Sequence, residues 1–233
     1  MVYRTFKAIA PLALLLVAAA CGGNQTDVKE PTDKDGEPAV VKAPPPPPKC
    51  ESLDEKCASK GDKTFAKVKG ADLVFTPAEK WMYAQGDAQT IAQASEEGAV
   101  VVFGAYTPDK DAKKDTAARD AALAELVKAA TLTLPKGAKV NWKQKPDNQE
   151  VNGIKLNVWN MPGAERAKKK GTLLVLQASL ADDKALLALG FAADDDEAGM
   201  GAVSKAIESI KADEKKADDD KKADDKKTDG EKK

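Results

Sequence analysis

The sequence contains no histidine, and that absence removes much of ordinary enzyme chemistry. Ser-His and Cys-His nucleophile pairs, histidine-ligated zinc and an imidazole general base are all excluded. No catalytic residue is assigned, and no metal or cofactor is expected. The charges leave almost no excess of either sign, 37 lysines and arginines against 38 aspartates and glutamates. Without a global basic field to attract it, nucleic acid is not an expected partner. The apolar run at residues 8–20 is interrupted by Pro11 and falls short of the roughly 20 residues that a membrane-spanning helix needs.

What that run does have is the context of an export leader. A short basic segment with Arg4 and Lys7 precedes it, and small residues lead into Cys21-Gly22-Gly23, so residues 1–20 read as a signal peptide. Leu15, Leu16, Val17, Ala18, Ala19, Ala20 and Cys21 resemble the bacterial lipobox, with Ala18 where that motif usually has leucine. The resemblance implies cleavage before Cys21 and lipidation of that cysteine. Two or three acyl chains, each contributing about 0.8 kcal/mol per buried methylene, would then hold the protein to a membrane. Gly22, rather than aspartate, resembles outer-membrane sorting. The expected location is therefore the bacterial cell envelope, lipid-anchored in the outer membrane.

Residues 21–49 are polar, charged and proline-bearing, and end in the five-proline run at 44–48. Such a segment buries too little apolar surface to fold and reads as a spacer, with polyproline II extending about 3.1 Å per residue. Residues 211–233 repeat lysine pairs, alanine and aspartate pairs, the pattern of a solvated, disordered tail. Between them, residues 50–70 carry Cys50 and Cys57, an even pair in an exported region and so a candidate disulfide. The loop it closes is small, and the chain-entropy gain is about 2.5 kcal/mol. Ser52 and Glu55 have capping-box spacing inside that loop.

Residues 71–210 read as the folded domain. Leu73 and Phe75, then Ala138, Val140 and Trp142, then Ile154, Leu156 and Val158 alternate with polar or opposite-face positions as half-buried strands do. Residues 100–106, 172–180 and 185–191 form apolar strands, the last two joined by a turn at Ala181-Asp182-Asp183. Two helices are expected. One spans 116–130, with Asp115 or Thr116 as cap and Leu123, Leu126, Val127 and Ala130 on one stripe; the other spans 197–210, with Met200, Val203, Ile207 and Ile210 inward. The expected class is α+β, a mostly antiparallel sheet covered by helices.

This order resembles the PsbP-like family of α/β/α sandwiches. The matching features are the approach through Pro77 to Trp81, the apolar strand from Ala99 to Phe103, the mid-chain helix, the Val151-Asn152-Gly153-Ile154 turn and the closing Ile207-Glu208-Ser209-Ile210. The resemblance implies a noncatalytic binding or assembly module. Among candidate sites, Arg166, Lys168, Lys169 and Lys170 form the concentrated basic cluster of the domain, which reads first as a solvated hairpin or loop and second as a contact for anionic lipid headgroups or cell-wall polymer. Gly199-Met200-Gly201 is a poor phosphate loop because Asp194, Asp195, Asp196 and Glu197 precede it. Those acids fit a helix N-terminus better. Trp81, Tyr83, Tyr106, Trp142 and Trp159 read as core packing before they read as a ligand groove.

The function expected is a membrane-anchored envelope lipoprotein with a noncatalytic domain that binds an envelope protein or cell-wall polymer. The alternatives are a structural or stress-related surface lipoprotein without a ligand pocket, and a glycan-cleaving enzyme using two carboxylates spaced about 5 to 9.5 Å apart.

Overall fold

The computed structural model describes residues 48–180 and 183–213. Chain contacts divide the protein into Met1–Pro45 and Pro46–Lys233, and every described residue belongs to the second unit. The expected leader, Cys21, most of the expected proline-rich spacer and the residues beyond 213 lie outside the described residues. So do Ala181 and Asp182 of the expected turn.

The described strands are β1 (Ala66–Val68), β2 (Leu73–Phe75), β3 (Met82–Gln85), β4 (Gln89–Gln93), β5 (Val100–Tyr106), β6 (Leu132–Thr133), β7 (Asp147–Val151), β8 (Ile154–Arg166), β9 (Lys169–Ser179), β10 (Ala185–Ala193) and β11 (Lys211–Ala212). The helices are α1 (Ala112–Ala129) and α2 (Glu197–Glu208). Eight strands make one sheet in the order β3-β4-β5-β10-β9-β8-β6, with β7 also on β8, and β1-β2-β11 make a second. All pairs are antiparallel. The class is therefore α+β with a mostly antiparallel sheet.

The central strands β5 and β10 read as continuous apolar runs because both of their faces are covered. Val100 and Val102 enter one cluster with Leu123 and Leu126 of α1, while Val101 and Phe103 enter another with Val203 and Ile207 of α2. Leu73 and Phe75 of the small sheet join the α2 cluster, where the Phe75 and Phe103 rings lie 4.3 Å apart. Gly190 of β10 is where α2 comes closest. A Cβ there would lie 2.5 Å from Val203 Cγ1, so glycine is what permits the approach. Asn152 and Gly153, at φ 48° and 80°, make the tight β7–β8 turn, the Asn-Gly chemistry that a two-residue hairpin favours.

The structure differs from the sequence expectation in several places, and α2 ends at Glu208 rather than at 210. Helix α1 starts earlier, and its cap is Asp111, whose carboxylate accepts from the amides of Lys113 and Lys114. Asp115 instead lies buried and paired with Arg119 one turn on. The stretch through Ala138, Val140 and Trp142 is a loop between Pro135 and Pro146 rather than a strand. Val140 and Trp142 of that loop join the α1 cluster, Trp142 standing edge-on to Trp159 at 5.1 Å and donating its indole N–H to Asp120.

Residues 50–70 are not separate from the domain. The backbone N–H groups of Tyr83 and Gln85 donate to the carbonyls of Cys57 and Cys50, and Ala58 bridges to Met82. This segment thus covers the outer edge of β3, and β1 pairs with β2. At the other end the domain passes residue 210. Lys211 and Ala212 pair with Val74 and Leu73 of β2, and Asp213 reaches Lys67 at 2.7 Å.

Candidate functional site

Strand β8 does not stop at Pro162-Gly163. A bulge there, with Gly163 at φ 80°, takes up the extra residue and lets the strand continue to Arg166. Ala164 and Arg166 then share the inward face, and the arginine is only 2% exposed. The sequence reading that placed Arg166 in a solvated basic cluster is corrected on this point: its guanidinium points inward. Lys168, Lys169 and Lys170 remain exposed at the β8–β9 hairpin, whose turn residues Ala167 and Lys168 have φ of 48° and 67°.

The guanidinium ties three segments together. Its Nε–H donates to Ala130 O at 2.9 Å and, more weakly, to Thr131 Oγ1 at 3.4 Å. Nη1 donates to Ser95 O at 3.1 Å and to Gly98 O, and Nη2 donates to Gln93 Oε1 at 2.5 Å. Carbonyl dipoles thus receive this buried cation, among them the C-terminal end of α1, where a positive charge is favoured. Burial pushes the guanidinium down to about 10, with Glu96 opposing that shift, so it stays charged at neutral pH. The same bonds hold Thr131, a β-branched residue at φ 53°, in a backbone region that such residues seldom occupy.

Above Arg166 lies an open groove of about 920 Å³. Leu53, Lys56 and Met82 form one wall, Ser95, Glu96 and Glu97 another, and Ala129, Thr131 and Ala167 complete the rim. The Cys50–Cys57 disulfide, with Cα atoms 5.6 Å apart, closes the loop that carries Leu53 and Lys56. Within that loop Ser52 caps the 3-10 turn Leu53–Glu55, and the Glu55 carboxylate accepts from the amides of Cys50 and Glu51. Those backbone bonds, Cys50's foremost, hold Glu55 below its ordinary carboxylate range. The groove is thus bounded by a disulfide-closed loop, a hairpin and a helix end, the last two fastened by Arg166.

The other expected residues fall elsewhere. Asp196 caps α2 by accepting from Gly199 N–H at 2.8 Å, and a Cβ on that residue would run into Asp196 Oδ2 and lie 2.9 Å from Ala99 Cβ, which accounts for the glycine beside the acids. Trp81 packs in the α2 cluster and Trp159 in the α1 cluster, with Tyr83, Tyr106 and Trp142 partly buried against them. A polar group lies beside α1, where Gln177 donates to the Tyr106 hydroxyl at 2.9 Å and Arg119 stacks on Trp142. Burial pushes the Tyr106 hydroxyl up, against the pull of Arg119. Among the described residues no group of three or more Cys, Asp or Glu is placed to hold a metal ion, and no helix is long and apolar enough to cross a membrane.

No family model matches the chain, and no curated protein matches it. Among solved structures, one similar to it is a crystal structure of a Bacteroides thetaiotaomicron protein determined at 1.50 Å, at 9% identity and a TM-score of 0.39. The match covers 62% of this chain and 46% of that one, so the chain spans about half the length of its structural neighbour.

Proposed function

We propose that this chain is a lipid-anchored protein of the bacterial envelope, outer membrane included, whose folded part is a noncatalytic binding domain. We read the packing of helices about the larger sheet as the α/β/α sandwich of the PsbP-like kind. The binding surface is the groove over Arg166, and its ligand is an exposed segment of an envelope protein. The observation that carries this reading is the arginine clamp, which fixes two parts of the groove rim to the sheet. A rim held in place loses little freedom on binding, so contact energy is not spent on ordering it. The volume of about 920 Å³ lies at the upper end for ligand sites, roughly 300 to 1,000 Å³, and its open form suits a chain segment better than an enclosed small molecule. Lys168, Lys169 and Lys170 follow Ala167 of the groove rim in sequence and offer a cationic contact to an anionic partner or cell-wall polymer, without Arg166.

Photo-crosslinking residues at Ser95, in the groove, and at Asn148, on the far sheet edge, test the reading in native envelopes. A discrete adduct from position 95 alone supports it. Equal or absent adducts at both positions would favour a structural lipoprotein without a binding surface. The anchor is tested separately by mass spectrometry of the mature N-terminus, which should carry acyl chains on Cys21. Cys21→Ser should release the protein from membranes.

A further inference from the structure

The outward face of the small sheet carries a second surface. Antiparallel register places Val74 between Lys67 and Lys211, and Val74 is only 6% exposed. Phe65, just before β1, stands 52% exposed, a large apolar side chain left in solvent. The Lys211 ammonium lies 4.9 Å from its ring centroid. Of the acids nearby, Asp213 pairs with Lys67, Asp87 with Lys69 and Asp72 with Lys184, while Glu51 acts on Lys69 through space. The face therefore offers one exposed aromatic ring with the Lys211 ammonium over it and the half-exposed Lys67 on the same strand face, and the Lys69–Asp87 pair at its margin is a surface pair of the individually weak kind.

The chain enters the described domain beside this face. Cys50 O accepts from Gln85 N–H, and the Gln85 side chain accepts from Lys67 N–H at 2.7 Å. Whatever tethers the N-terminus therefore pulls next to β1. The groove opens instead where Met82, Gln93 and Arg166 lie, at the other end of β3 and β4.

We propose that Phe65, Lys67 and Lys211 form a membrane-contact patch for an anionic phospholipid surface, the ring entering the headgroup boundary and the lysines meeting phosphate. This rests on the lipid-anchor reading for its local concentration, because one aromatic ring and a few lysines bind a free protein only weakly. It orients the domain with the groove away from the bilayer.

The test uses full-length mature protein, lipidated or carrying Cys21→Ser, with Phe65→Trp as the reporter and vesicles containing phosphatidylglycerol with brominated chains. At millimolar lipid, the fluorescence of the introduced indole in both proteins should be quenched beyond the background set by the same proteins with Phe65 intact, whose only indoles are Trp81, Trp142 and Trp159. On dilution to micromolar lipid, only the lipidated form should stay quenched. Lys67→Gln with Lys211→Gln, or Phe65→Ala in a partition assay on the acyl-free chain, should lower binding about five- to tenfold. No quenching in either protein at millimolar lipid overturns the patch. Equal quenching in neutral phosphatidylcholine overturns its anionic preference. Identical behaviour of the two proteins on dilution overturns the anchor instead.

Discussion

Replacing Arg166 by methionine keeps a long, flexible side chain of similar reach and removes every donor. Two of its acceptors retain partners, since Ala130 O also accepts from Thr131 Oγ1 and Ser95 O from Gly98 N–H. Gly98 O and Gln93 Oε1 lose theirs. An unsatisfied buried acceptor costs about 1–3 kcal/mol; Gln93 is buried and Gly98 only partly so, which makes the gross loss about 2–4 kcal/mol. Removing a desolvated cation returns part of that, leaving a net loss of about 1–3 kcal/mol. For a domain of this size the melting temperature should fall by roughly 3–10 °C. Urea unfolding followed by far-UV circular dichroism should show a lower midpoint at unchanged slope. Arg166→Lys keeps the charge but not the planar fork, and should fall between parent and methionine. A methionine variant within about 0.5 kcal/mol of the parent, the range of an ordinary surface substitution, would refute the clamp.

Removing the Cys50–Cys57 bond with serine at both positions should cost about 2.5 kcal/mol and speed hydrogen exchange at the Tyr83 and Gln85 amides; unchanged exchange would mean the edge is covered without it. Ala167→Asn with Lys168→Gly places an Asn-Gly pair where the backbone already has positive φ. It should raise stability by about 1–2 kcal/mol, measured by thermal unfolding. Ending the chain after Ile210, compared with ending it after Asp213, removes β11 and the Lys67–Asp213 pair. The shorter chain should be less stable by about 1–2 kcal/mol in urea, and equal midpoints would show that β11 contributes nothing.

How much of this was legible depended on how strongly each residue's environment writes into its neighbours. β5 and β10 are covered on both faces, so their apolar runs announced them, and Asn152-Gly153 announced its turn. The last helix was legible from its stripe and its preceding acids. β3 and β4, with the sequences MYAQ and QTIAQ, are short and polar enough that no period of two stands out. The first turn of α1 carries Lys113 and Lys114 in solvent, so the apolar stripe gave no notice of a start at Ala112. The loop through Val140 and Trp142 misled because covering a cluster demands the same alternation as lying in a sheet. Arg166 was hidden twice, by a Pro-Gly pair that reads as a strand end and by three lysines that read as its companions. The signal that would have found it is the alternation of Ala164 with Arg166, which emerges only once the bulge is allowed.

The disulfide has a consequence for where the protein can mature. The segment from Cys50 to Ser59 lies on the outer edge of β3, the end strand of the eight-stranded sheet. In a reducing compartment that cover loses its covalent tie and is held by its hydrogen bonds and the packing of Leu53, and an uncovered strand edge is a template for pairing with another chain. A chain delayed among reductants would therefore tend to self-associate, whereas one that meets an oxidant seals its own margin. On the export reading proposed above, oxidation of Cys50 and Cys57 would couple the solubility of the finished domain to arrival where disulfides persist.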